Sequence, residues 1–148
     1  MPRVEGHRVP EVCKVVGISY RQLDYWARTG LVTPSVREAG GSGTQRLYSF
    51  QDLVLLKVIK RLLDAGVSLH RIRQAIDYLR DNMKRAPQGI TLMSDGTSIY
   101  ACESEEEIID LVKRGQGVFA IALDAVWEDL SGTLQAEDAP ALARARGA

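Results

Sequence analysis

The stretch SYRQLDYWARTGLV, residues 19–32, decides how the chain is read. Ser19 is a preferred helix N-cap, and Gln22 three positions on completes a capping-box pattern. Ile18 before the cap and Leu23 at the fourth helical position make a hydrophobic staple. Gly30 supplies a C-terminal stop. The spacing therefore predicts a helix over 19–29 with Leu23, Trp26 and Ala27 turned inward. Tyr20, Arg21, Asp24, Tyr25 and Arg28 are left outward. Such a face is either merely solvated or made to touch something, and this stretch alone does not decide between the two.

The neighbouring sequence supplies a context for that face. PEVCKVV (10–16) places Val12, Val15 and Val16 at helical spacing, with Pro10 acceptable in a first turn and Gly17 breaking the pattern. Two short helices across a tight glycine turn make a helix-turn-helix candidate. Residues 31–49 read as a two-stranded hairpin, LVTPSVR against QRLYS, around the glycine-rich tip AGGSG. Arg37 and Arg46 flank that tip. Ser49, with Asp52 three residues on, caps a third helix whose Leu55, Val58, Ile59 and Leu62 form a buried stripe. After Gly66, Ser68 starts a fourth helix with Leu69, Ile72, Ile76 and Leu79 on one face. His70, Arg71, Arg73 and Arg80 lie mostly elsewhere on it.

KRAPQG (84–89) ends the helical pattern and marks an expected boundary. Beyond it, two β-prone runs flank Asp95-Gly96, a hairpin signal. Ser104 and Glu107 form a capping box for a helix carrying Ile108, Ile109, Leu111 and Val112, closed by Gly115. VFAIAL (118–123) reads as a central strand buried on both faces, and 124–131 as a short helix. The expected fold class is α+β. A helix-turn-helix domain over 8–85 is followed by a small ββαβ unit over 88–134 and a disordered tail over 136–148.

Net charge is zero over the 148 residues, yet residues 1–85 carry +7 and residues 86–148 carry −7. Polyanion binding therefore belongs to the first half. No apolar run approaches a membrane span, no signal-peptide core is seen, and a cytoplasmic protein is expected. Cys13 and Cys102 have no metal-ligand spacing and read as buried thiols. No nucleophile–base–acid set, phosphate loop or metal-spaced cluster appears, so neither an enzyme nor a cofactor or metal site is expected. Glu105-Glu106-Glu107 reads as a helix first turn favoured by the dipole rather than a catalytic pair.

The order helix, turn, helix, basic hairpin, helix, helix resembles the winged DNA-binding domain of MerR-family transcriptional regulators. HRVPEVCKVVGISYRQLDYWARTGLVTPSVR (7–37) carries the family's G-hydrophobic-S turn, aromatic pair (Tyr25-Trp26) and G-L-hydrophobic-x-P segment. RLYSFQDL (46–53) is similar to the end of the wing and the start of the next helix, and RLLDAGVSLHRIRQAI (61–76) to the following junction. The resemblance covers about residues 8–80. Departures are Asp24, where a basic residue is common, and Gln45, in place of a wing tyrosine. The small ββαβ unit also stands where a long dimerising helix is usual. The form of the second helix looks most like short actinobacterial regulators.

The resemblance implies a homodimer on an inverted repeat of double-stranded promoter DNA, acting by promoter distortion, with RNA polymerase as a further partner. The implied DNA-contacting residues are Ser19, Tyr20, Arg21, Gln22, Tyr25, Arg28, Arg37, Thr44, Arg46, Tyr48 and Arg71. Chemistry distributes the roles. Arg21 offers a guanidinium to guanine O6 and N7, whereas Tyr25 and Arg28 suit phosphates. Arg37 and Arg46 reach the flanking minor groove or backbone. Arg71 and Arg73 lie near the start of the fourth helix, where the dipole favours phosphate. Asp24 would repel phosphate unless it orients Arg21 or Arg28, or accepts from cytosine N4. Trp26 is core rather than contact. Two other readings stay open: an architectural or excisionase-like DNA-binding factor, and a protein-interaction module whose basic face docks an acidic partner.

Overall fold

The computed structural model describes residues 6–36, 46–82, 89–95, 97–115 and 119–138. Helix α1 (Val9–Val16) has Pro10 in its first turn and buries Val12, Val15 and Val16. Helix α2 (Tyr20–Arg28) follows after a tight turn. Its capping box is complete: Gln22 N–H donates to Ser19 Oγ at 3.1 Å, and Ser19 N–H to Gln22 Oε1 at 3.2 Å. The far end is closed as well. Leu31 N–H donates to the Trp26 carbonyl and Gly30 N–H to that of Ala27, with Gly30 at φ +77°. That pair of bonds is a Schellman closure, and it draws the buried Leu31 toward the buried Trp26.

The expected hairpin over 31–49 takes a different form. Strand β2 (Leu47–Tyr48) pairs antiparallel with β1 (His7–Arg8), His7 opposite Tyr48 and Arg8 opposite Leu47. Residues 31–36 form no strand, because their donors are already taken. Leu31 and Val32 N–H bond Trp26, Pro34 has no N–H, and Ser35 N–H donates to Asp52 Oδ2 at 2.8 Å. Val36 N–H alone reaches Leu47 O, at 3.2 Å. Gly6 permits the approach of β1, since a Cβ there would stand 2.9 Å from Leu47 Cβ. The hairpin tip, with Arg37 and Thr44, lies outside the described residues.

Helix α3 (Phe50–Asp64) is the hub, buried at Leu53, Val54, Leu55, Leu56, Val58, Ile59 and Leu62 and thus on far more than one stripe. Its cap is also a tie. Asp52 Oδ2 accepts from Ser49 N–H at 2.8 Å and from Ser35 N–H and Oγ–H at 2.8 and 2.7 Å. Helix α4 (Leu69–Asn82) buries Ile72, Ile76 and Leu79 against this core.

The C-terminal elements are β3 (Thr91–Ser94), β4 (Ile99–Cys102), α5 (Glu105–Lys113), β5 (Phe119–Ala122) and α6 (Leu123–Asp138). The sheet is antiparallel in the order β4-β3-β5. The strand expected to be central, VFAIAL, is therefore an edge. Within it Ile121 is buried while Ala120 and Ala122 are exposed, the alternation of a strand covered on one face. The central strand is β3, where Leu92 and Met93 on opposite faces are both buried. The expected short helix over 124–131 runs on to Asp138, so the tail expected from 136 begins inside it. Residues 139–148 lie outside the described residues. Leu123, Val126, Leu130 and Leu134 give α6 a buried stripe that packs on α3 and α1. Phe50 and Trp127 meet edge-on at 4.5 Å. One apolar core thus runs from Val12 to Leu134.

Asp52→Ala leaves the part-buried N–H groups of Ser35 and Ser49 without this acceptor, while the Ser35 hydroxyl keeps its bond to Ser49 Oγ. The substitution is expected to lower stability by about 1–3 kcal/mol in urea unfolding, with Asp52→Asn intermediate.

Candidate nucleic-acid interface

The outer face of α2 is a set of exposed side chains on a helix fixed at both ends. Tyr20 is 64% and Tyr25 50% exposed, and Arg21 and Arg28 are exposed beside them. Thr29 Oγ–H donates to Tyr25 O at 2.8 Å. From α4, Arg73 donates to Thr29 O at 3.2 Å and Arg80 to Leu31 O. These two arginines act on the C-terminal end of α2, where carbonyls lack intrahelical partners. Arg73, expected near the start of the fourth helix, is tied by this bond to the end of α2. Ser19 and Gln22 are exposed, with their side chains engaged in the cap.

Asp24 sits in the middle of this face and holds a cation with each oxygen. Oδ2 lies 2.9 Å from Arg28 Nη2, and Oδ1 accepts from Arg46 Nη1 at 2.7 Å. The Arg46 hydrogen bond is the main reason the Asp24 carboxyl lies below its ordinary range, with the charges of Arg28 and Arg46 adding to it. The expected partner Arg28 is present. Arg46, 22 residues away in sequence, is the partner that helical spacing could not indicate. Arg46 is accordingly folded back onto α2 rather than extended with the wing.

One expected contact, Tyr48, is placed in the core. Tyr48 is fully buried, so its ring belongs to the core and not to a DNA surface. Strand pairing to His7 aims it inward. Its hydroxyl has no hydrogen-bond partner, and burial pushes the phenol up to about 12. Arg71 is exposed on α4 and lines an open cleft of about 490 Å³ with Tyr78, Leu92, Ser98 and Ile99. It thus borders the C-terminal sheet.

Of the two thiols expected to be buried, only Cys102 is fully so. Cys13 is half-buried and Cys102 buried, and desolvation raises both. Among the described residues no group of three or more His, Cys, Asp or Glu could hold a metal ion. No described helix is long and apolar enough to cross a membrane.

Comparison with known proteins agrees with this geometry. The family model for MerR HTH family regulatory proteins matches residues 7–79. An HTH-type transcriptional regulator of Mycobacterium tuberculosis is 56% identical over 129 residues, covering 87% of this chain and 57% of its own length. A counterpart in Mycobacterium bovis gives the same figures: 56% over 129 residues, 87% and 57%. A probable heavy metal-dependent transcriptional regulator of Haemophilus influenzae is 34% identical over 108 residues, covering 73% of this chain and 79% of its own. The chain thus spans little more than half the length of the mycobacterial relatives.

Tyr48→Phe removes a hydroxyl that has no partner. Stability at neutral pH is expected to be unchanged or to rise by up to about 1 kcal/mol, with duplex binding unaltered. Because the folded phenol titrates above the ordinary value of 10.0, its contribution is full below pH 10 and is lost as pH rises towards 12. Denaturant midpoints across that window are expected to fall less steeply in the variant.

Proposed function

The chain belongs to the MerR family of helix-turn-helix regulatory proteins, and from that premise we propose that it binds double-stranded DNA through α2 and regulates transcription. One observation carries the reading: Tyr20, Arg21, Tyr25 and Arg28 stand exposed on one short helix whose two ends are both closed. A helix of this kind fits the width of the major groove. Arg21 is the base-reading residue. Its exposed guanidinium sits in the first turn, the part of a recognition helix that reaches base edges. Tyr25 and Arg28, further along, bind phosphate and fix register. Arg37 and Thr44 are assigned to the wing on sequence grounds alone.

We infer further that the protein acts as a homodimer on an inverted repeat, changing promoter shape for RNA polymerase. Helix α5 suits the pairing. None of its residues is buried, and Ile109 and Val112 are 51% and 54% exposed. Its first turn is Glu105-Glu106-Glu107 and it ends at Lys113. Two copies packed antiparallel about a two-fold axis set each acidic end beside the partner's basic end, an isologous arrangement.

Fluorescence anisotropy on duplexes selected by the protein from a random pool tests both parts. Wild-type affinity falls steeply with salt. Arg21→Ala costs about 1–3 kcal/mol and relaxes preference at one base position, while Arg28→Ala weakens all sequences alike and lowers the salt slope by about one. Absence of salt-dependent duplex binding would overturn the reading. Val112→Glu yields a monomer in sedimentation that keeps half-site affinity and loses the gain from the inverted repeat. A dimer unaffected by Val112→Glu would relocate the interface.

A further inference from the structure

An acidic side chain in the centre of a surface that meets phosphate is unfavourable unless it does something for the cations around it. Asp24 is that side chain. Its carboxylate binds Arg28 from its own helix with one oxygen, at 2.9 Å, and Arg46 from the base of the wing with the other, at 2.7 Å. The three groups differ in exposure. The Arg28 side chain is 68% exposed, whereas those of Asp24 and Arg46 are 23% and 19% exposed. Tyr20 stands exposed on the same helix. The wing's return therefore touches the helix at a polar joint, and the chain enters the buried pair Leu47-Tyr48 directly after it.

We propose that Asp24 is a positioning residue for sequence discrimination, holding Arg28 and Arg46 as fixed forks over the recognition helix. The inference rests on the DNA-binding role of α2. A guanidinium has five N–H donors in a rigid plane, so one bond to Asp24 orients the plane and leaves the other donors for DNA. An arginine on a loose stem bonds any phosphate it meets, which raises affinity for every sequence and carries no information. Asp24 suppresses that behaviour in two ways. It restrains both stems, and it reduces the summed charge of the trio to +1. Undirected attraction is lowered while contacts that need a set geometry are kept. The buried Arg46 stem gives the arrangement its rigidity. Arg28 alone, a surface i,i+4 pair, would be held weakly.

The test compares binding to the duplex that wild-type protein enriches from a random pool with binding to a scrambled duplex of equal composition, each across a salt series. Asp24→Asn is expected to tighten scrambled-duplex binding several-fold and to steepen the salt slope by about one. It is expected to lower the selected-to-scrambled ratio by about tenfold. Arg46→Lys keeps the net charge and removes the fork, so it leaves the slope unchanged and lowers the ratio. Asp24→Glu restores the slope and recovers part of the ratio. If Asp24→Asn tightens both duplexes equally, Asp24 acts only as a nearby charge and the inference fails. The inference also fails if both duplexes are weakened together with a lowered melting temperature, or if Arg46→Lys keeps the full ratio. A wild-type protein that binds neither duplex overturns the DNA-binding role itself, a result distinct from these.

Discussion

Everything in the molecule depends on α3 being buried around most of its circumference. Leu53, Val54, Leu55, Leu56, Val58, Ile59 and Leu62 cannot share one side of a helix, so neighbours must cover it from several directions. Helices α1, α4 and α6 do so. Helix α2 adds only Leu23 and Trp26 to this core and depends on it for the rest of its support. Helix α2 has only nine residues, too few to be stable alone, and it is held by Leu23 and Trp26, by two closed ends and by arginines from α4. Its outer face can be wholly polar because the inner face is anchored to a core organised elsewhere.

Local chemistry in the sequence was a good guide wherever one turn of chain settles the matter. The capping boxes of α2 and α3, the glycine stops at 30 and 66 and the stripes of α1 and α4 are all where spacing placed them, whereas at α5 the Glu107 carboxylate accepts from Glu103 N–H and only the Ser104 half of the expected box forms. What could not be read was partner choice over distance. Leu31–Val36 has β-prone residues, but its donors are captured by the closure of α2 and by Asp52. The strand that pairs with β2 comes instead from His7-Arg8, too short to show a pattern. VFAIAL looks like a strand buried on two sides because alanine is counted as apolar, yet at an edge alanines sit comfortably in water. The length of α6 was missed: the expected helix ends at 131, while Leu123, Val126, Leu130 and Leu134 carry its buried stripe past Gly132.

The outer side of α2 was legible as a face and not as a network. Exposure of Tyr20, Arg21, Tyr25 and Arg28 follows from helical geometry once Leu23 and Trp26 are inward. The tie from Asp24 to Arg46 does not, since no periodicity connects residues 22 positions apart. Tyr48 illustrates the opposite error. The resemblance to the family's wing suggests a contact there, but Tyr48 is fully buried, next to the equally buried Leu47, and belongs to the core.

The packing of α6 on α3 and α1 has a thermodynamic meaning beyond shape. Because Leu123, Val126, Leu130 and Leu134 complete the same core that supports α2, the two halves of the chain share one folding equilibrium. A cavity opened beneath α6, at Leu130 for example, therefore loosens the support of α1 and α3 as well, and the two halves lose stability together rather than separately.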